Sequence, residues 1–287
     1  MAETERARSG GMKWLTELVN EWRAAGQRIG IVPTMGALHQ GHLSLVQAAR
    51  AECERVVATV FVNPTQFAPT EDLAKYPRTL VADLEMLAAE RVDAVLVPTE
   101  DEMYPPGFST YVQPPEVSQK WEGAVRPSHF RGVATVVLKL LNMTRADVCY
   151  LGQKDYQQVA VVRRMVADLN VPCEIKMCPT VRDPDGLAMS SRNRYLSKDE
   201  RQIGLSLSRT LFAAEKQIRS GAKNGPELSS WMREQLIASG VSQVDYAFAA
   251  DADTLEPLTE VRLPLVLLMA ARVGTTRLLD NLVVRQG

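Results

Sequence analysis

Along the first 180 residues, short apolar runs alternate with stretches whose apolar residues recur at helical spacing. Residues 28–32 (R-I-G-I-V), 56–62 (V-V-A-T-V-F-V), 93–97 (D-A-V-L-V) and 147–151 (D-V-C-Y-L) each predict a short buried strand, with 173–177 as a fifth candidate. Trp14, Leu15, Leu18, Val19 and Trp22 predict a helix over 13–26 that Gly26 closes. Leu43, Leu45, Val46 and Ala49 predict another, beginning near Gly41 or His42. Residues 77–90, with Leu80, Leu84, Leu87 and Ala88 inward, predict a third, and 133–143 and 157–169 two more. Residues 104–115, broken by four prolines and Gly107, predict an irregular surface segment. Such alternation implies an α/β fold, a Rossmann-like doubly wound parallel sheet with helices on both faces.

After Thr180 the pattern changes. Residues 182–186 (R-D-P-D-G) make a turn-rich joint, 198–219 and 226–239 predict helices, and 244–249, 265–271 and 278–284 predict strands. Helices followed by strands suggest a smaller C-terminal α+β domain, so the expected division is 1–181 and 182–287.

Composition narrows the function classes. The chain has 287 residues with Lys+Arg 33 against Asp+Glu 34, a formal net charge of -1, so no global field attracts nucleic acid or an anionic membrane. No apolar run approaches the roughly 20 residues of a membrane helix. Residues 1–11 are polar, lack the apolar core of a secretory signal, and are read as a disordered start. Cys53, Cys149, Cys173 and Cys178 form no C-x-x-C and have no neighbouring histidine, which argues against zinc and for reduced thiols in a cytoplasmic protein.

The unusual polar residues fall just past strand ends. Residues 32–46 read V-P-T-M-G-A-L-H-Q-G-H-L-S-L-V, a strand, a tight loop and a helix start, and hold two of the three histidines, His39 and His42. A helix N-terminus offers N–H groups and a positive dipole end to phosphate, glycines let backbone approach a ligand, and imidazoles can donate to phosphoryl oxygens. After the second strand, Pro64 sets a turn that aims the amides of Asn63 and Gln66, which suit a hydroxylated anionic small molecule. After the fourth, Lys154 can neutralise phosphate, Asp155 can ligate magnesium or orient an ammonium, and Gln158 lies one helical turn on. Ser190 and Ser191 beside Arg192 and Arg194 form a plausible phosphate clamp.

These strings also occur together in one known family. His39-Gln40-Gly41-His42 resembles the H-x-G-H signature of the nucleotidylyltransferase superfamily, and the longer Pro33-Thr34-Met35-Gly36-Ala37-Leu38-His39-Gln40-Gly41-His42 resembles the pantothenate synthetase family. Further matches are N-P-x-Q-F at 63–67, D-L-x-x-Y-P-R-T at 72–79, H-F-R-G-V at 129–133, G-x-K-D-x-Q-Q at 152–158 and M-S-S-R at 189–192. The last also resembles, in degenerate form, the lysine-serine loop of class I aminoacyl-tRNA synthetases. The likeness spans residues 14–282. Departures are the polar N-terminus, Gln153 where glutamate is common, and Ala82 beside Asp83, which weakens any paired-carboxylate magnesium site there.

The resemblance implies an ATP-dependent ligase that joins pantoate to β-alanine through a pantoyl adenylate, with magnesium as cofactor and a homodimer as the assembly. By it, ATP would meet Met35, Gly36, Ala37, Leu38, His39, Gln40, Gly41, His42, Gly152, Gln153, Lys154, Asp155, Val181 (against adenine), Met189, Ser190, Ser191 and Arg192. Gln66, Asn63, Gln158 and Asp155 would meet pantoate and β-alanine, and residues 70–79, with Asp72, Tyr76 and Arg78, would form a mobile flap. His42 would carry the main transition-state role, with His39 and Lys154 supporting. His129 and Arg131 are expected at the site rim, without a role. The competing readings are another small-molecule nucleotidylyltransferase, a non-catalytic nucleotide-binding protein on the same fold, and a class I synthetase fragment.

Overall fold

The computed structural model describes residues 8–69 and 71–286. Six strands, β1 (Arg8–Gly10), β2 (Ile29–Thr34), β3 (Arg55–Val60), β4 (Ala94–Leu96), β5 (Val148–Gly152) and β6 (Glu174–Cys178), pair in parallel in the order β1-β4-β3-β2-β5-β6. The strand order reverses between β2 and β5, the place where open α/β sheets leave a crevice beyond their carboxyl ends.

Successive side chains on a strand point to opposite faces, and the two faces here carry separate cores. Ile29, Ile31, Val57, Cys149 and Leu151 pack with α1 (Met12–Ala24), α6 (His129–Thr144) and α7 (Tyr156–Asp168). Val32, Val56, Ala58, Val148 and Tyr150 pack with α2 (Gln40–Arg50) and α3 (Leu80–Ala89) on the other side. Strands covered twice need apolar residues at every position, which is why they read as uninterrupted runs. Two short helices, α4 (Glu100–Met103) and α5 (Glu122–Val125), lie in the irregular stretch before α6.

Beyond β6 the chain builds α8 (Lys198–Arg219), α9 (Gly225–Ala238) and an antiparallel sheet of β7 (Gln243–Asp251), β8 (Leu265–Val273) and β9 (Thr276–Val284). One face of this sheet, through Leu265, Leu267, Met269 and Ala271, packs on α8 and α9. The other, through Phe248, Val266 and Leu268, packs on Tyr156 of α7 and on Trp121, whose indole N–H donates to the Leu255 carbonyl at 3.1 Å. The second sheet is therefore wedged between its own helices and the first sheet's α7. Among the described residues no helix is long and apolar enough to cross a membrane.

Three expectations change. Residues 1–7 of the expected disordered start lie outside the described residues, but Arg8–Gly10 forms an edge strand beside Ala94–Leu96. Three residues are too few for periodicity to reveal, and main-chain pairing needs no apolar pattern. Leu80, expected inward, is 39% exposed because α3 begins at that residue, before its apolar stripe meets the core. His129, expected near the site rim, is buried at the first residue of α6, which starts there and not at Val133.

Candidate active site

The loop after β2 is held from below by one carboxylate. Gly36 and Ala37 both take positive φ, +79° and +51°, turning the chain back over the sheet edge. For alanine that conformation is strained. Asp83 of α3, 1% exposed, offsets it by accepting the Ala37 N–H at 3.0 Å on Oδ2 and the Leu38 N–H at 2.8 Å on Oδ1, while Thr79 donates to both oxygens. This handful of bonds delivers the chain to His39, the residue that caps α2.

His39 and His42 cap each other's turn. The Gly41 N–H donates to His39 Nδ1 at 3.2 Å, and the His39 N–H donates to His42 Nδ1 at 3.3 Å. This is a reciprocal capping box built from imidazoles, not from serine and glutamate. A Cβ at Gly41 would lie 2.9 Å from the His39 ring, so the motif needs glycine there. Because both Nδ1 atoms accept, both ring protons sit on Nε2. The two rings stand 4.1 Å apart and line one cavity. Burial pushes His39 down to about 4, helped by Lys154, and pushes His42 down to about 3, helped by His39 and Lys154. At neutral pH the pair is uncharged and presents Nε2–H donors.

The cavity, about 630 Å³, opens beyond the carboxyl ends of β2, β3 and β5. Its lining brings together Met35, His39, Gly41, His42, Asn63, Gln66, Gly152, Lys154, Asp155, Gln158, Val181, Met189, Ser190, Ser191 and Arg192. Gly36, Ala37, Leu38, Gln40 and Gln153 are not among the lining residues. The amides of Ala37 and Leu38 are turned to Asp83, Gln40 is exposed on the first turn of α2, and Gln153 Nε2 donates to Asn281 Oδ1 at 3.3 Å.

The amide pair behaves unequally. Asn63, 1% exposed, donates to Gln66 Oε1 and the Gly132 carbonyl and accepts from Thr65 and Tyr104, so its side chain is fully occupied inside the protein. It orients Gln66, whose Nε2 reaches Met35 Sδ at 2.9 Å. Gln66's own carbonyl is held by His129 at 2.9 Å and by Arg126 at 3.3 Å. Arg126 also donates to His129 Nε2, which leaves the ring proton on Nδ1. Burial pushes His129 down to about 4, with Arg126 adding to it.

The serine-arginine loop is latched to residues 71–79. Arg192 grips Asp72 with two bonds of 3.0 and 2.9 Å, Tyr76 and Ser191 share a hydroxyl contact at 3.3 Å, and the Tyr195 hydroxyl donates to the Lys75 carbonyl. Arg78, by contrast, is exposed. On the opposite wall, Glu122 takes a bidentate grip from Arg277 at 2.7 and 2.8 Å and a further bond from Arg126 at 3.1 Å. Arg126 also pairs with Glu71, and Arg277 with Asp245. Burial alone would raise the Glu122 carboxyl, but Arg277 and Arg126 outweigh it and bring it down to about 2.

Sequence reasoning gave Asp83 and His129 no structural role, and missed this ion-pair chain and Asn281. For Asp83 a signal exists: it stands four residues before buried Leu87, on the inward stripe of its helix, where an acid needs a partner.

Two outcomes follow from this geometry. Asp83→Asn keeps one acceptor and sets an NH₂ group against the second amide, so it should lower unfolding free energy by about 1–3 kcal/mol. Urea denaturation checks this, and unchanged stability would free the loop from Asp83. All three histidines of the chain sit below the ordinary 6.5, at about 4, 3 and 4. The unfolded chain takes up their protons near 6.5 and the folded chain does not, so stability is complete above that value and falls as pH drops toward 4. Thermal melts between pH 7 and 4.5 should show the fall, and His129→Gln should flatten it by one proton; a level profile in the parent chain would contradict the assignment.

The chain matches the family model described as Pantoate-beta-alanine ligase over residues 11–283. It is 51% identical over 270 residues to the pantothenate synthetase of Roseiflexus castenholzii, covering 93% of this chain and 97% of that protein. It is 49% identical over 262 residues to that of Moorella thermoacetica, covering 91% and 93%. Among solved structures, pantothenate synthetase from Thermus thermophilus superposes with a TM-score of 0.90 at 44% identity, over 97% of this chain and 100% of that one. Pantoate-beta-alanine ligase from Francisella tularensis, complexed with beta-gamma ATP and beta-alanine, superposes with a TM-score of 0.79 at 34% identity, over 98% and 99%. With the paired histidines, the amide-lined wall and the serine-arginine loop gathered around one cavity, these likenesses make the chain a member of the pantoate–β-alanine ligase family.

Proposed function

We propose that the chain condenses pantoate with β-alanine at the expense of ATP, giving pantothenate, AMP and pyrophosphate. The observation that carries this reading is the uncharged histidine pair, with both Nε2–H groups available, in the same cavity as Lys154 and the serine-arginine loop. Pantoate's carboxylate oxygen attacks the α-phosphorus and the bond to the bridging oxygen of pyrophosphate breaks, leaving pantoyl adenylate. The amine of β-alanine then attacks the acyl carbon, AMP leaves, and the amine gives up a proton. A bare carboxylate acylates poorly; the adenylate supplies the leaving group, so no protein nucleophile is required.

In this reading, catalysis is positioning and charge stabilisation. His42 donates from Nε2 to an α-phosphate oxygen as charge grows there, with His39 beside it. Neutral donors strengthen with that charge without attracting a second proton. Lys154, Ser190, Ser191 and Arg192 hold the phosphates, and Arg192 must exchange Asp72 for phosphate to do so. Met35 and Val181 flank the nucleotide, and Gln66 and Gln158 hold pantoate. Gly36, Ala37, Leu38, Gln40 and Gln153 shape these loops from outside the lining, and Asn63 acts through Gln66.

Magnesium fits this donor set as an ion carried by phosphate. Among the described residues no group of three or more His, Cys, Asp or Glu side chains could cage a metal. Asp155 is the carboxylate that would share such an ion with the phosphates, and the ion would supply neutralisation of their charge. The reading divides the chain into a nucleotide- and pantoate-binding part at 1–181 and a smaller part at 182–287, working as a cytoplasmic homodimer.

The function is tested by exchange of labelled pyrophosphate into ATP. Exchange should require pantoate, and pantothenate should appear only when β-alanine is added; exchange supported by other acids but not pantoate would overturn the assignment. His42→Ala should keep its fold and lose about 10²- to 10³-fold in exchange rate, the usual loss for one transition-state donor. Wild-type exchange in that variant would remove His42 from the mechanism. In sedimentation the protein should run at twice the mass of one chain, and a monomer would refute the assembly.

A further inference from the structure

The turn that carries Lys154 is held by the far end of the chain. Asn281 of β9 is 2% exposed, and its Nδ2 donates to two successive carbonyls, Gln153 at 2.9 Å and Lys154 at 2.8 Å. Those carbonyls belong to a single 3₁₀ turn, Gln153–Asp155, that joins the end of β5 to the start of α7, outside both the strand ladder and the α-helix. Asn281 Oδ1 accepts from Gln153 Nε2 at 3.3 Å, which uses the whole amide on one short turn.

The neighbouring residue reaches the other arm of the site. Strand alternation turns Asp280 to the opposite face of β9. There its carboxylate, 3% exposed, takes a bidentate grip from Arg182 at 2.6 and 3.0 Å, and also accepts the Asn281 N–H at 2.8 Å. Arg182 further donates to the Gly186 carbonyl, and it bridges to Ala188 in the small hairpin that leads directly into Met189, Ser190, Ser191 and Arg192. Two adjacent residues thus tie down the lysine turn and the root of the serine-arginine loop. Neither lies in a loop after a parallel strand, where the rest of the site is built.

We propose that Asn281 is a positioning residue for adenylate formation: with Asp280 as its neighbour on β9, it fixes the Gln153–Lys154 turn so that the Lys154 ammonium stands at a set distance from the Ser190–Arg192 loop. The inference rests on the reading above, in which Lys154 holds ATP phosphate. It assigns the C-terminal sheet a part in the chemistry although no atom of Asn281 need touch the nucleotide. An amide is required because two carbonyls must be met by one planar NH₂ group; a carboxylate of the same shape would repel both.

The test uses the full chain with Asn281→Ala and Asn281→Asp, each alone and Asn281→Ala also combined with Lys154→Ala. Loss of lysine alignment should lower kcat for pantoate-dependent pyrophosphate exchange about 10²-fold, the scale expected when a reacting group is displaced by an ångström. Asn281→Asp should be no better than alanine, and KM for pantoate should change less than about twofold in both, because the Gln66 wall is untouched. In the Lys154→Ala background the second substitution should cost less than about twofold, since there is no ammonium left to align. A merely structural asparagine would instead lower the melting temperature and cost the same factor in both backgrounds, and that result overturns the proposal, as does wild-type kcat in folded Asn281→Ala. Should Asn281→Ala not fold, Asn281→Ser, which keeps one donor, carries the same cycle. Absence of pantoate-dependent exchange in the parent chain would refute the functional reading itself, whereas exchange in the parent matched by Asn281→Ala refutes only the positioning role.

Discussion

The site depends first on a buried carboxylate meeting two backbone amides. Without Asp83, the left-handed turn at Gly36 and Ala37 would leave two N–H groups facing a protein interior, a cost large enough to redirect the loop. With it, the chain leaves β2, folds back and enters α2 with His39 already in capping geometry. The same bonds bear on the proposed phosphate recognition: with the Ala37 and Leu38 amides committed to Asp83, it would fall to imidazole N–H, to Lys154 and to the serine-arginine loop.

The second constraint is the wedge of the C-terminal sheet against the first sheet's helices. Its inner face carries Arg277 and Asn281, four residues apart on one side of β9. Arg277 meets Glu122 and Asn281 meets the Lys154 turn, so both walls of the cavity are fastened to one strand. The ion pairs of Glu71, Arg126, Glu122, Arg277 and Asp245 continue that fastening from residues 71–79 to β7. Buried pairs of this kind contribute little net stability over an apolar core, yet removing one member leaves an unmatched charge. Their effect here is to fix relative placement.

Much of this is readable from the chain alone. Doubly covered strands demand continuous apolar runs, so 28–32, 56–62, 93–97 and 147–151 are legible, and polar residues past their ends point to one crevice. What stays hidden lacks a local pattern. Asp83 resembles any acid on a helix until the positive φ of Ala37 reveals what it must serve. Asn281 occupies an ordinary polar slot in an alternating strand, and its partners lie more than 120 residues away. Asn63 and Gln66 look equivalent as neighbouring amides; only the Gly132 carbonyl and the Tyr104 hydroxyl show that one is a support for the other. Arg8–Gly10 joins the sheet by main-chain pairing, which composition does not encode.

The mutual capping of the two imidazoles explains the spelling of the motif. Each ring must receive a main-chain hydrogen on one edge and present its own hydrogen on the far edge, at neutral charge and with a rigid span between the two. Lysine and arginine have nothing to receive with, carboxylates nothing to give, and carboxamides hold both functions side by side at a single tip. Imidazole alone separates them across a ring. In the proposed reaction the letters at positions 39 and 42 thus meet two demands at once, architecture behind and a hydrogen-bond donor in front.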